Sequence, residues 1–306
     1  MTLADKRVLI AGGTGLIGGH LSDFLKKEGC KVEFLSRKAG AYNGIQAYQW
    51  SVDDREISHP ELEKVDVVIN LAGAGIADKK WTKERKKVII QSRVNAARTF
   101  EKYMQGGKLK PEVYLSASAV GYYGDRGEEE LTEDSEPGDD FLAQTTIEWE
   151  KAADLMIPFT RVVKVRIGIV LSTKGGALPQ MANPQRLGVG ALLGGGKQYM
   201  PWVHIDDIVK MILFLLTNEK ADGVFNAVSP KPITQKQMVS AIAKGMGRPA
   251  IKLPAPGFAL KLAMGEMAAL VLNSNKVIPK RIQNLGYKFN FIDASTALKD
   301  LKNRKI

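Results

Sequence analysis

The residues best suited to chemistry lie near the start of the chain. Gly12, Gly15 and Gly18 in GGTGLIG stand three apart, a G-x-x-G-x-x-G variant of the G-x-G-x-x-G turn whose glycines let main-chain amides approach a pyrophosphate. They sit between a short apolar run, RVLIA at 7–11, and GLIGGHLSDFLKKEG, whose apolar spacing suits a helix that starts near Leu16 and closes at Gly29. A helix start aims free N–H groups and a positive dipole end at an anion. A merely structural turn is the alternative, and the strand–turn–helix setting speaks for the cofactor. About 20 residues on, an NAD site offers a carboxylate to the ribose hydroxyl; this chain offers Ser36, Arg37 and Lys38. A hydroxyl and a guanidinium can hold a 2'-phosphate that a carboxylate would repel. The expectation is NADP(H) in preference to NAD(H), unless the two basic residues are simply solvated.

Three further places carry groups that need a role. Arg166 lies on an otherwise apolar strand and requires a partner, either a carboxylate or the ligand, so it joins the cofactor-contacting candidates. In WVHIDD, His204 is an acid/base suited to neutral pH, whereas Asp206 reads as the N-cap of a helix that begins at Asp207. Structure is the simpler reading of that pair, with His204 left as a group able to approach substrate. The stretch GGGKQYMPW at 194–202 combines glycines, Lys197 and Tyr199, which suits either a substrate-covering loop or a surface connector. His20 and His59 are isolated, and three scattered His without a Cys cluster make no metal site.

The elements that must position these groups alternate. RVLIA, KVEFLS, VDVVINLAG at 65–73, EVYLSAS at 112–118 and RVVKVRIGIVLS read as strands. Helices lie between them, one opened by Thr82 and running to about Met104, another at FLAQTTIEWEKAADLM. Such alternation implies crossover connections and a parallel, doubly wound Rossmann-type α/β sheet. After Leu171 a Gly- and Pro-rich stretch leaves the sheet; WVHI, its helix and GVFNAVS return to it, and Thr234 to Gln237 forms a capping box. The expected organisation is a nucleotide-binding domain at 1–171 with its sheet completed by 202–230. A substrate-side lobe at 172–306 comprises the loop 172–201 and a basic segment 231–306.

With 306 residues, 44% hydrophobic and 25% charged, the chain can bury a substantial core, and wholesale disorder is excluded. No apolar run approaches the roughly 18 residues of a membrane span, and MTLADKR leads straight into a strand, so neither anchor nor signal peptide is read. Cys30 is the single cysteine, which excludes an intramolecular disulfide and fits a reducing compartment, the cytoplasm by default. The net charge is +11, and the whole excess lies from Lys231 onward, with 14 Lys and Arg against 3 Asp and Glu. Residues 125–140 carry nine carboxylates and one Arg. The basic lobe either attracts phosphates or is a solvated face that offsets this acidic loop; without an aromatic platform, nucleic acid is not an expected partner.

GGTGLIG, NLAG at 70–73, SASAVGYYG at 116–124, WVHIDD and IPKRIQNLGYKF together resemble the extended short-chain dehydrogenase/reductases, the NAD-dependent epimerase/dehydratase family. The chain is most similar to the sugar-nucleotide-epimerase-like branch that ends in a domain of unknown function. The resemblance implies that Gly12, Thr14, Gly15, Leu16, Ile17, Gly18, Ser36 and Arg37 hold the dinucleotide. It implies that Asn70, Leu71, Ala72 and Gly73 line it, that Asn95 is the family's helix asparagine, and that Ser118 is the catalytic serine.

One departure outweighs these matches. Family catalysis uses Y-x-x-x-K on a helix, with Tyr as acid/base and Lys lowering its pKa. No such pattern occurs in this sequence, and Phe141, Leu142 and Thr146 stand where it is expected. Tyr122 and Tyr123 are then the local candidates for a relocated proton donor, although paired tyrosines at a strand end often only pack. The resulting expectation is an NADP(H)-dependent oxidoreductase or epimerase acting on a carbonyl or carbinol of a small molecule, phosphorylated or nucleotide-linked. Ser118 would polarise the oxygen, and Tyr123 would supply the proton. The alternative is a catalytically silent NADPH-binding sensor or interaction module.

Overall fold

The β-branched and aliphatic runs become strands buried on both faces: Arg7–Ala11, Val67–Asn70, Val113–Ala119 and Arg161–Ile167 expose almost none of their side chains. They belong to a computed structural model that describes residues 2–247 and 249–304. The central sheet runs in the order Gly223–Ala227, Arg161–Ile167, Val113–Ala119, Val67–Asn70, Arg7–Ala11, Lys31–Ser36, Ile45–Ser51, Gly40–Tyr42. All neighbours from Gly223–Ala227 to Ile45–Ser51 are parallel; Gly40–Tyr42 and Glu56–Ser58 add antiparallel pairs to Ile45–Ser51. The strand order reverses between Arg7–Ala11 and Val67–Asn70, and such a reversal opens a ligand crevice at the carboxyl ends of the strands.

Period-two alternation fills both layers. Val8 and Ile10 face a core shared with Leu21 and Leu25 of the helix Leu16–Lys27 and with Ile208 and Ile212 of the helix Ile205–Thr217. Leu9 and Ala11 face the opposite core, with Ala96, Ala97 and Phe100 of the helix Lys83–Gln105 and Ala152 and Ala153 of the helix Phe141–Asp154. Each fully buried Leu or Ile contributes roughly 1.5–3 kcal/mol.

The structure departs from the sequence reading in three places. RVVKVRIGIVLS is two strands: the chain leaves the sheet at Gly168, where a Cβ would lie 2.7 Å from the Pro201 carbonyl oxygen, and Ile169–Leu171 pairs instead with Trp202–His204. WVHI therefore does not rejoin the central sheet; only Gly223–Ala227 does. VDVVINLAG narrows to Val67–Asn70. Finally, the stretch after Leu171 is no bare loop, because it holds the helix Ala177–Arg186 and the strand Val189–Leu193, which pairs with Ile251–Ala255.

The acidic segment is tied to the C-terminal part of the chain mostly through uncharged donors. Asp125 accepts from the Ser274 amide at 2.9 Å, Asp140 from Asn273 Nδ2 at 2.8 Å, and Glu133 from the amides of Asn226 and Arg281. Lys276 adds one ion pair, 3.6 Å from Glu130. No helix among the described residues is long and apolar enough to cross a membrane.

Candidate active site

The glycine turn stands at the strand-order reversal. Parallel register places Ala11 beside Leu35 on one side and Asn70 on the other, so Gly12 emerges between the two neighbouring strand ends. Its φ of +81° is a left-handed conformation, and a Cβ there would lie 2.8 Å from the Leu71 carbonyl. A Cβ on Gly18 would lie 2.5 Å from the Gly12 carbonyl oxygen, so only glycine lets the helix sit this close. Gly15 caps the helix Leu16–Lys27 without a side-chain hydrogen bond, and the first turn holds no acid. The amides of Leu16, Ile17 and Gly18 are left to an external acceptor. This cradle fits the diphosphate of a dinucleotide.

Around it, Ser36 ends its strand, and Arg37 and Lys38 are exposed, with no ion pair among the described residues. Leu71 and Ala72 are half-buried and Gly73 is exposed. Asn70 is fully buried: Nδ2 donates to the Tyr114 hydroxyl at 2.9 Å, and Oδ1 accepts from the Ala72 amide at 3.2 Å. Its side chain therefore shapes the turn instead of touching a cofactor, which corrects its role. Asn95 lies half-buried on the helix Lys83–Gln105 and does not line the cavity described next.

A cavity of about 290 Å³ opens at the same edge of the sheet. Its walls are Ala119–Gly121 after one strand, Gly168 and Ile169 after the next, and Leu142, Thr145, Thr146 and Trp149 of the helix Phe141–Asp154. Tyr199–Pro201 and Ala269–Val271 close it, and Arg93 enters from the helix Lys83–Gln105. The hydroxyls of Thr145 and Thr146 donate to the carbonyls of Phe141 and Leu142 on their own helix, so neither is a proton carrier. Tyr199 is the only phenol in the wall among the described residues, whereas Lys197 is exposed outside it.

The serine and tyrosines expected to do chemistry belong to a separate buried network. Ser118 donates to Glu150 Oε1 at 2.5 Å, and Glu150 accepts from Arg166 Nε at 2.7 Å and Nη2 at 2.9 Å. Arg166 Nη1 donates to the Tyr123 hydroxyl at 3.0 Å, which donates in turn to Asn226 Oδ1 at 2.7 Å. The guanidinium stacks 3.3 Å from the centre of the Tyr122 ring. Tyr123 is wholly buried, and burial pushes its phenol up to about 12 against the opposing pull of Arg166. None of these side chains lines the cavity.

Four assignments change as a result. Tyr123 cannot act as proton donor from this position, because its hydroxyl is enclosed and occupied. The Ser118 hydroxyl is committed to Glu150. Tyr122 is a stacking partner for Arg166. Arg166 has the carboxylate its burial demanded, so it is a core ion pair and not a cofactor contact.

His204 is corrected in the same way. It is fully buried and is itself the N-cap of Ile205–Thr217, its Nδ1 accepting from the Asp206 amide at 3.1 Å. Its ring packs on Phe291 at 3.9 Å and does not line the cavity, and burial pulls its pKa down to about 4. Asp206, expected as the cap, instead accepts from His20 Nε2 at 2.6 Å and from Arg304.

The sequence reading passed over Arg93, Trp149 and Glu150. A signal existed for the first: Arg93 interrupts the stripe Ile89, Ala96, Ala97, Phe100, which is otherwise buried and apolar. Glu150 sits in the buried stripe of its own helix, between Thr146 and Ala153.

The fold and the glycine cradle define a dinucleotide-binding α/β protein with a second cavity beside the cradle. The chain belongs to the NAD dependent epimerase/dehydratase family, whose model matches residues 8–154 and 156–227, while residues 255–301 match a domain of unknown function. It is 36% identical over 301 residues to an epimerase family protein of Staphylococcus epidermidis, covering 97% of this chain and 99% of that one. Among solved structures it is similar to the human epimerase family protein SDR39U1 with NADPH, at 33% identity and a TM-score of 0.88, over 98% of this chain and all of that one. A nucleoside-diphosphate sugar epimerase from Corynebacterium glutamicum is 29% identical, with a TM-score of 0.77, over 98% of this chain and 59% of that one.

Proposed function

We propose that this chain binds NADP(H) at the glycine turn and acts as an oxidoreductase or epimerase on a carbonyl or carbinol of a small molecule held in the 290 Å³ cavity. The observation that carries the reading is the cavity's position: it opens at the carboxyl edge of the sheet that also holds the turn, where α/β proteins of this topology bind their ligands. The amides of Leu16, Ile17 and Gly18 receive the diphosphate. Ser36, Arg37 and Lys38, at the end of the second strand, receive the 2'-phosphate. The presence of NADPH in the human relative's structure supports that preference. A bound nicotinamide supplies a hydride donor or acceptor. The apolar walls at Leu142, Ile169 and Met200 exclude water, and Tyr199 is the wall residue able to give or take a proton.

One observation favours a second reading, cofactor binding without turnover. The helix facing the cavity presents Leu142, Thr145 and Thr146, none of which exchanges a proton near neutral pH. Titration of NADPH and NADH into wild type and Arg37→Ala tests the first claim. A loss of about ten-fold in NADPH affinity with NADH unchanged is expected, equivalent to about 1.4 kcal/mol; equal NADPH affinity in both proteins would refute the assignment. NADPH oxidation against a panel of carbonyl compounds and nucleotide sugars then separates the two readings. Consumption abolished by Tyr199→Phe supports turnover, and bound NADPH without consumption on any member supports the sensor.

A further inference from the structure

Arg93 and Trp149 adjoin one another in the wall of an otherwise largely apolar cavity. Arg93 Nη1 donates to the carbonyls of Ala74 at 3.1 Å and Ile89 at 2.8 Å. Its Nε and Nη2 have no acceptor, and no carboxylate pairs with it, among the described residues. Burial, with the nearby Arg85 charge acting in the same direction, pulls the guanidinium down to about 10, so it remains a cation at pH 7. Trp149 is 7% exposed, and its indole N–H is buried without an acceptor. The guanidinium carbon lies 4.9 Å from the centre of that indole ring. The two side chains thus meet at one wall of the same cavity.

A half-buried cation without a carboxylate partner and a buried N–H without an acceptor each cost free energy that an anionic acceptor would return. We infer that the cavity takes a small ligand with a carboxylate held by Arg93 and the Trp149 N–H, and with a predominantly apolar remainder. A single unpaired cation neutralises a carboxylate, whereas a phosphate dianion would leave a charge uncompensated among apolar walls. Arg is also the side chain whose fork geometry matches a carboxylate. The inference rests on the cavity being the substrate site and specifies the substrate class as a carboxylate-bearing carbonyl or carbinol compound.

Full-length protein saturated with NADPH is titrated calorimetrically with benzoate, phenylacetate and 3-phenylpropanoate, with their matched amides, and with phenyl phosphate. The expected result is at least ten-fold preference for a carboxylate over its amide, with phenyl phosphate the weaker anion, and loss of that preference in Arg93→Met. Wild-type protein carrying 15N-labelled tryptophan gives a second readout that does not depend on Arg93→Met. The indole N–H resonance absent from Trp149→Phe should move downfield with the carboxylate and not with the amide. Equal affinity for carboxylates and amides would overturn the inference, as would phenyl phosphate binding best. A drop in NADPH affinity in Arg93→Met with carboxylate binding unaltered would also overturn it, assigning Arg93 to the cofactor. Failure of wild type to bind NADPH at all is a different outcome, because it removes the reading on which this one rests.

Discussion

At the scale of single residues, the same atoms that suggested catalysis turn out to stabilise the core. Arg166, 3% exposed, and Glu150, 7% exposed, form a doubly hydrogen-bonded ion pair; Ser118 donates to Glu150, and Tyr123 accepts from Arg166 while donating to Asn226. Removing one partner of such a pair strands the other charge, at a cost of about 3–5 kcal/mol. Glu150→Gln is therefore expected to lower the urea midpoint sharply. Tyr123→Phe should cost only about 1–3 kcal/mol, the penalty for unsatisfied hydrogen-bonding groups, with NADPH affinity unchanged. Both variants are compared by denaturation and cofactor titration. A stable Glu150→Gln protein would contradict the network's structural role, and loss of NADPH affinity in Tyr123→Phe would return that residue to the site.

At the scale of elements, the start of the helix Ile205–Thr217 holds a titrating cap. Neutral His204 accepts from the Asp206 amide, while Asp206, Asp207, Asp300 and Arg304 surround it. Burial lowers its pKa from 6.5 to about 4 in the fold, despite the neighbouring carboxylates. In that interval the unfolded chain binds the proton more readily, so stability is complete above about pH 6.5 and is lost as pH falls towards about 4. The loss is on the order of 3 kcal/mol. Melting temperatures from pH 7.5 to 4.5 should show this slope, and His204→Asn, which keeps a capping acceptor without a titrating ring, should flatten it. Parallel slopes in the two proteins would assign the acid sensitivity elsewhere.

At the scale of the whole molecule, Asp207 fastens the C-terminal segment to the helix Ile205–Thr217, which packs against the central sheet. It is 1% exposed, and its carboxylate accepts from the Asn290 amide at 3.0 Å, Asn290 Nδ2 at 2.8 Å and the Phe291 amide at 2.9 Å. Asp207→Ala leaves those donors unsatisfied and is expected to destabilise the protein by at least about 3 kcal/mol. Amide exchange should accelerate first at Asn290 and Phe291 in the variant. Uniform acceleration throughout the chain would show that the segment does not open as a separate unit.

The parallel sheet and the glycine cradle were legible in the sequence because their signals are local. A β-branched run, three spaced glycines and an amphipathic helix within the first 30 residues restrict the backbone wherever they occur. The break at Gly168 was not legible, since β-branched and aliphatic residues continue on both sides of it and the obstruction comes from Pro201. The fate of the polar groups was decided only in three dimensions. Arg166 finds Glu150 at a separation of 16 residues, and Tyr123 finds Asn226 at 103. Residue type states that a buried charge or hydroxyl needs a partner, but packing alone determines which partner arrives and which groups, such as the Trp149 N–H, are left without one.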